Sequence, residues 1–193
     1  MDVTRIAALL LGAWIGGCVF MDSVATQNFR SVDRLLAAPP APINQRIQAM
    51  GGHDAARVFL RYQASELNRR YFTAWEDTQI VLGALLIFTL VAAGYRDKVT
   101  IWLPSLMLGI TLLMHFLLTP EITRLGRTLD LAPLGQPSAS STRFWIFHGG
   151  YSALELIKLG WGLALAIWLL LPKRKPPLKD SGIGTEAEPS KVG

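Results

Sequence analysis

An all-α membrane fold, a bundle of four transmembrane helices, is predicted by three observations. Of 193 residues, 51% are hydrophobic and only 17% are charged, against about a quarter charged in a typical soluble domain. The charge is segregated, with long stretches almost free of it and Arg-rich stretches between them. Four of the apolar stretches reach the roughly 20 residues that a helix needs to cross the hydrocarbon core. They lie at about 6–25, 72–94, 101–119 and 144–171, within one membrane domain over 1–172. A basic tail, 173–193, follows; it is polar and rich in Lys, Pro and Gly, a composition that predicts disorder.

The first span is a continuous apolar run from Ile6 to Met21, with Asp22 following. Gly12 and Gly16 have the GxxxG spacing that lets helices approach closely. Arg5, the apolar run and Ser23-Val24-Ala25 also resemble a secretory signal with a small-residue cleavage site. Ile15-Gly16-Gly17-Cys18 resembles a lipobox with an atypical Gly, but a retained first helix is the expectation here. Phe29 to Ala38 reads as a helical continuation out of the membrane, broken by Pro39-Pro40-Ala41-Pro42. Two short helical patterns follow, separated by Gly51-Gly52, and in the second Leu60, Ala64, Leu67 and Tyr71 share one face. Together these predict a helical extramembrane hairpin between the first two spans.

The second span is fully apolar only from Ile80, and Thr73 with Glu76 has capping-box spacing at its start. Pro120 is expected to end the third span, since proline lacks the N–H that would continue the helix. A short basic helix and a polar Gly-Pro-Ser stretch lead into the fourth span, where Ser141 and Thr142 can cap and Pro172 ends the run. Phe72, Trp75, Phe144, Trp145 and Phe147 mark one membrane interface; Tyr95, Trp102 and Trp168 mark the other.

Four spans put both termini on one side, together with Arg5, Arg96, Lys98 and the basic start of the tail. Basic residues dense beside short flanks favour a cytoplasmic location for both ends. The net charge of +5 sits at the edges of apolar spans, which points to anionic lipid headgroups and not to nucleic acid. Arg69, Arg70, Arg124, Arg127, Lys173, Arg174 and Lys175 are the residues assigned to that contact. The alternative expectation for the Arg-rich side is a docking surface for an acidic partner or an anionic lipid; a membrane-protein partner or a second copy of the chain is the partner expected besides the bilayer. The single cysteine, Cys18, excludes an internal disulfide framework and a zinc site built on several thiolates.

Polar residues within a span are costly and rarely face lipid, so each is a candidate site. His148, Ser152 and Glu155 recur at helical steps, and Lys158 follows Glu155 by three residues, the spacing of a pair on one helix. These four form a predicted intramembrane polar network, either a neutralised pair holding the bundle together or a proton or ion relay. His115 and His148 fall at matching depths, about 6 Å inside the boundary, and Thr111 shares the face of His115. Glu76, Asp77 and Asp22 reach the same layer. Two histidines with carboxylates suit a divalent metal, and two histidines on facing helices suit the axial positions of a haem. Hydrogen-bonded interfacial histidines with no cofactor are the simpler reading. No Gly-rich phosphate loop, nucleophile elbow or dinucleotide fingerprint occurs, so no catalytic residue is assigned and no enzymatic activity is expected.

The run Arg143-Phe144-Trp145-Ile146-Phe147-His148-Gly149-Gly150-Tyr151-Ser152-Ala153-Leu154-Glu155-Leu156 resembles the last-helix motif of the transmembrane protein 205-like family. Thr119-Pro120 before a basic helix, and the Gly-rich first helix, are similar to that family too. The resemblance covers the four spans and implies a four-helix membrane bundle; it implies no reaction. Glu155 stands where the family tends to have Asn, and the Arg30 to Arg70 segment is longer and more charged. A more distant similarity, to copper-resistance and haem-related four-helix membrane proteins, implies a metal or haem at His115 and His148. The leading expectation is a non-enzymatic integral membrane protein, structural or partner-binding. The alternative is a metal- or haem-binding redox or transport protein using His115 and His148.

Overall fold

The computed structural model describes residues 3–130 and 139–171, and every regular element among them is helical. Helix α1 spans Val3–Ala37, α2 Ala41–Ala49, α3 His53–Ala92 and α4 Lys98–Leu113. A π-helical turn, Met114–Leu118, joins α4 to α5 (Thr119–Asp130), and α6 runs over Ala139–Leu170. Four helical rods are long and apolar enough to cross a membrane: α1, α3, the α4–π–α5 rod and α6. The chain is therefore a four-helix membrane bundle.

The helices outrun the hydrophobic spans at one end only, and this builds the cap. Past the membrane, α1 continues to Ala37, where Pro39 and Pro40 stop it, and α2 turns the chain back. Gly51 and Gly52 adopt φ of 98° and 92°, a left-handed backbone that costs glycine little. There α3 begins, 40 residues long, so the expected short surface helix and the second span are one rod. Thr73 lies inside it and donates to the Arg69 carbonyl, which removes the capping role expected of Thr73 with Glu76. Ser141 and Thr142 are likewise interior to α6.

The cap has its own small core of Val32, Leu36, Ile47, Ala56 and Ala64, with Phe29 and Leu60 against it. Leu67 and Tyr71, expected on this face, are exposed. Asn68 is buried in their place, donating to the Ala25 carbonyl and accepting from Asn28.

At the other end, α3 stops at a tight reversal. Gly94 has φ of 77°, its N–H donates to the Val91 carbonyl, and that of Tyr95 donates to the Leu90 carbonyl. This is the paired closure that satisfies orphan carbonyls at a helix end. Asp97 then caps α4 by accepting from the Thr100 N–H at 2.9 Å. The membrane core lies on this side, with Ala7, Leu11, Trp14, Leu86, Leu90, Met107 and Leu165 buried together.

Pro120 does not end the third rod. The π turn shifts the hydrogen-bond register, with the Thr119 N–H donating to the Met114 carbonyl, and the helix continues through Pro120 to Asp130. The basic tail, with Lys173, Arg174 and Lys175, lies outside the described residues, as do Pro172 and residues 131–138.

Candidate functional site

Polar side chains enter the bundle from all four rods and form two joined clusters. The deeper one is built on Lys158 of α6, whose side chain is wholly buried. An ammonium has three N–H donors, and all three are matched: Gln79 Oε1 at 2.6 Å, Glu155 Oε1 at 3.0 Å and Thr111 Oγ1 at 3.2 Å. Gln79 Nε2 also donates to Glu155 Oε1 at 3.4 Å. The Thr111 hydroxyl lies 3.0 Å from the Met107 carbonyl, its acceptor one turn back. From α1, the Cys18 thiol donates to Glu155 Oε2 at 3.7 Å. Leaving a charge unmatched in a low dielectric costs several kcal/mol, and this shell explains why Lys158 is tolerated.

The second cluster surrounds the buried carboxylate of Glu76 on α3, one turn nearer the cap. Tyr151 of α6 and Thr119 of α5 donate their hydroxyls to Oε1 at 2.9 and 2.5 Å. His115, inside the π turn, meets Oε2 through Nδ1 at 3.1 Å, while its Nε2 lies 3.8 Å from Asp77. Glu76, Gln79 and Gly83 share one face of α3 at helical spacing. Gly83 lets the α1 residue Trp14 pack flush, since a Cβ there would lie 2.9 Å from the indole.

Above both clusters lies a cleft of about 490 Å³, walled by α1, α3, α5 and α6. Phe29 and Asp22 line the α1 lip; Phe144, His148, Ser152 and Glu155 line the α6 lip; Asn68, Arg69 and Phe72 lie on the α3 wall. The Phe144 and His148 rings stack at 5.5 Å, and Phe72 meets Tyr151 edge-on at 5.8 Å. The floor of the cleft is Glu155, with 12% of its side chain exposed, over the sealed Lys158.

Residues 47–128 match the family model of a domain of unknown function, DUF4149. Neither a curated protein nor a solved structure matches the chain. The DUF4149 segment holds Glu76, Gln79, Thr111, His115 and Thr119, and thus the α3 and α4–α5 halves of both clusters. Their partners on α1 and α6 lie outside it.

Of the expected network, Glu155 and Lys158 are brought together, whereas His148 and Ser152 are not part of it. Ser152 donates to the His148 carbonyl of its own helix, and both side chains face the cleft. The expected metal or haem set is likewise divided. His115 is engaged with Glu76 and Asp77, His148 stacks on Phe144 at the cleft, and Asp22 stands on the opposite lip. Among the described residues no group of three or more His, Cys, Asp and Glu is arranged to hold a metal ion. Gln79 and Tyr151 were not read from the sequence as site residues. Their spacing to Glu76 and Glu155, three and four residues, is the signal that marks them.

The headgroup assignment also changes. Arg69 is largely buried and pairs with Glu66 at 2.6 Å and Asp130 at 2.5 Å, so it clamps α3 to α5. Arg127 reinforces that clamp through Glu66 at 2.9 Å, and Arg124 pairs with Glu121 at 2.6 Å. Hydrogen bonds from Arg127, and then Arg69, hold the Glu66 carboxyl at about 2. Arg70 is exposed and available to headgroups.

Proposed function

We propose that this chain is a non-enzymatic binding protein of the membrane, whose polar clusters fix four helices around a cleft open on one side. The observation that carries this reading is how the polar path ends. It enters from the cap side, passes Glu155 and reaches Lys158; beyond it Leu11, Trp14, Leu86, Leu90 and Leu165 pack as a hydrophobic core, and the buried polar side chain on that side is Thr100, in the first turn of α4. A relay or transport route needs polar groups or water on both sides of the barrier, whereas a binding site needs only one mouth. Every donor on Lys158 is matched, which suits a part that holds geometry and not one that exchanges protons.

Membership of the transmembrane protein 205-like family is part of the same proposal, supported by the residue run Arg143 to Leu156 and by the four-helix architecture. Cytoplasmic termini follow from the basic flanks, and a reporter fused after Gly193 tests them. The binding reading is tested by native mass spectrometry of the chain released from its own membrane in mild detergent. One equivalent of a bound amphiphile is expected, lost when Ser152→Trp fills the cleft. Wild-type protein that is folded yet empty would overturn the reading.

A further inference from the structure

We propose that the cleft takes the ammonium head of a single-chain amphiphile, drawn laterally from the leaflet on the cap side. This rests on the binding reading above and names its ligand.

The charges on the walls carry the argument. Arg69, the basic group on the α3 wall, is already paired by Glu66 and Asp130. Lys158 is sealed beneath the floor with its three N–H groups used. Two carboxylates remain against that one ammonium. Asp22 lines the same cleft as Glu155 and has no hydrogen bond or ion pair among the described residues. Among the described residues the Oε2 of Glu155 is met by a thiol alone. The cleft therefore presents one surplus negative charge in a low-dielectric setting, where a cation gains most from it.

The walls suit an organic cation. Phe144, His148, Phe72 and Tyr151 place ring faces and edges around the carboxylates, the surroundings that attract an ammonium by cation–π interaction. The volume, about 490 Å³, lies in the range of small-molecule sites, roughly 300–1,000 Å³. It holds a head group and the first part of a chain. Leu156 of α6 lines the cleft and is itself exposed. Phe20, two residues before the lining residue Asp22 on α1, is exposed as well, so an alkyl tail leaving the cleft between these helices stays on apolar surface.

The test measures binding of dodecylammonium, dodecanol and dodecanoate to the full chain in maltoside micelles, by the rise in unfolding temperature. Dodecylammonium is expected to bind more tightly than either other probe. Asp22→Asn is expected to weaken it at least tenfold, about 1.4 kcal/mol, with the unliganded unfolding temperature not lowered, because Asp22 makes no bond to lose and its charge is uncompensated. Ser152→Trp is expected to abolish the effect; an undiminished response in that variant would mean non-specific association and overturn the proposal. Equal binding of all three probes, or an unaltered affinity in Asp22→Asn, overturns the ammonium assignment and leaves the cleft a binding site. Binding of none overturns both.

Discussion

Replacing Lys158 with Met should cost more than any other single change in the membrane core. The ammonium is wholly buried and neutralises Glu155, so the variant leaves a carboxylate at 12% exposure beside two uncharged partners, Gln79 and Cys18. Removing one partner of a buried pair typically costs about 3–5 kcal/mol. By contrast, a plain interhelical hydrogen bond in a membrane averages about 0.6 kcal/mol and rarely exceeds about 1.7. The charge term therefore dominates. For a chain of this size roughly 2–4 °C accompanies each kcal/mol, giving a fall of roughly 6–20 °C in Tm. Glu155→Gln should fall similarly, since it strands Lys158 with neutral acceptors only. The double variant removes both charges and should recover most of the loss. A double-mutant cycle on thermal unfolding in detergent reads this directly. Strict additivity of the two losses would refute the ion-pair account, and losses below about 1 kcal/mol each would show that water reaches the pair.

At Glu76, Tyr151→Phe removes one charge-assisted hydrogen bond and should cost about 1–2 kcal/mol. Glu76→Ala, which also orphans Thr119 and His115, should cost more than twice as much in the same unfolding assay. Gly83→Ala sets a Cβ 2.9 Å from Trp14 and 3.2 Å from Leu108 and should cost about 1–3 kcal/mol. Gly160→Ala has nothing within 4 Å and should be neutral or raise Tm through helix propensity. The Glu66 carboxyl, lowered from 4.5 to about 2 by Arg127 and Arg69, stabilises the fold at neutral pH. Because the folded value is depressed, that contribution persists down to about 4.5 and disappears as pH falls towards 2. Its size is roughly 1–2 kcal/mol after solvent screening on the Arg127 side. Glu66→Gln should flatten the corresponding part of the Tm–pH curve.

The spans were legible because the bilayer penalises charge strongly enough that hydropathy alone locates them. Their ends were not, because the same helices continue past the membrane as cap rods held by Arg69–Asp130 and Arg127–Glu66, pairs that cross between elements distant in sequence. The Glu155–Lys158 pair could be read since it is local to one helix. His148 and Ser152 line the cleft, while Lys158 of the same expected network is buried, for a geometric reason. At about 100° per residue, His148, Ser152 and Glu155 stay within about 60° of one another, whereas Tyr151 and Lys158 lie roughly 60–80° round from His148, towards the core. Glu155 sits between the two faces and belongs to both the cleft and the buried cluster. Gln79 and Thr111 complete the shell only once three helices are set at particular rotations, which no single-helix pattern encodes.

Pro120 shows how a local defect becomes part of the site. Proline removes a donor and crowds the carbonyl four residues earlier, so an unbroken α-helix through it would leave unpaired carbonyls in the membrane. Widening the preceding turn to π geometry moves the Thr119 N–H on to the Met114 carbonyl and lets the rod pass. The five residues of that turn, Met114–Leu118, include His115, which keeps the face it shares with Thr111 and Thr119 at four-residue steps. Thr111 reaches Gln79 at 3.3 Å while His115 and Thr119 reach Glu76 at 3.1 and 2.5 Å. One helical rod thereby serves both polar clusters of α3. The turn that relieves the proline also sets the polar layer beneath the cleft.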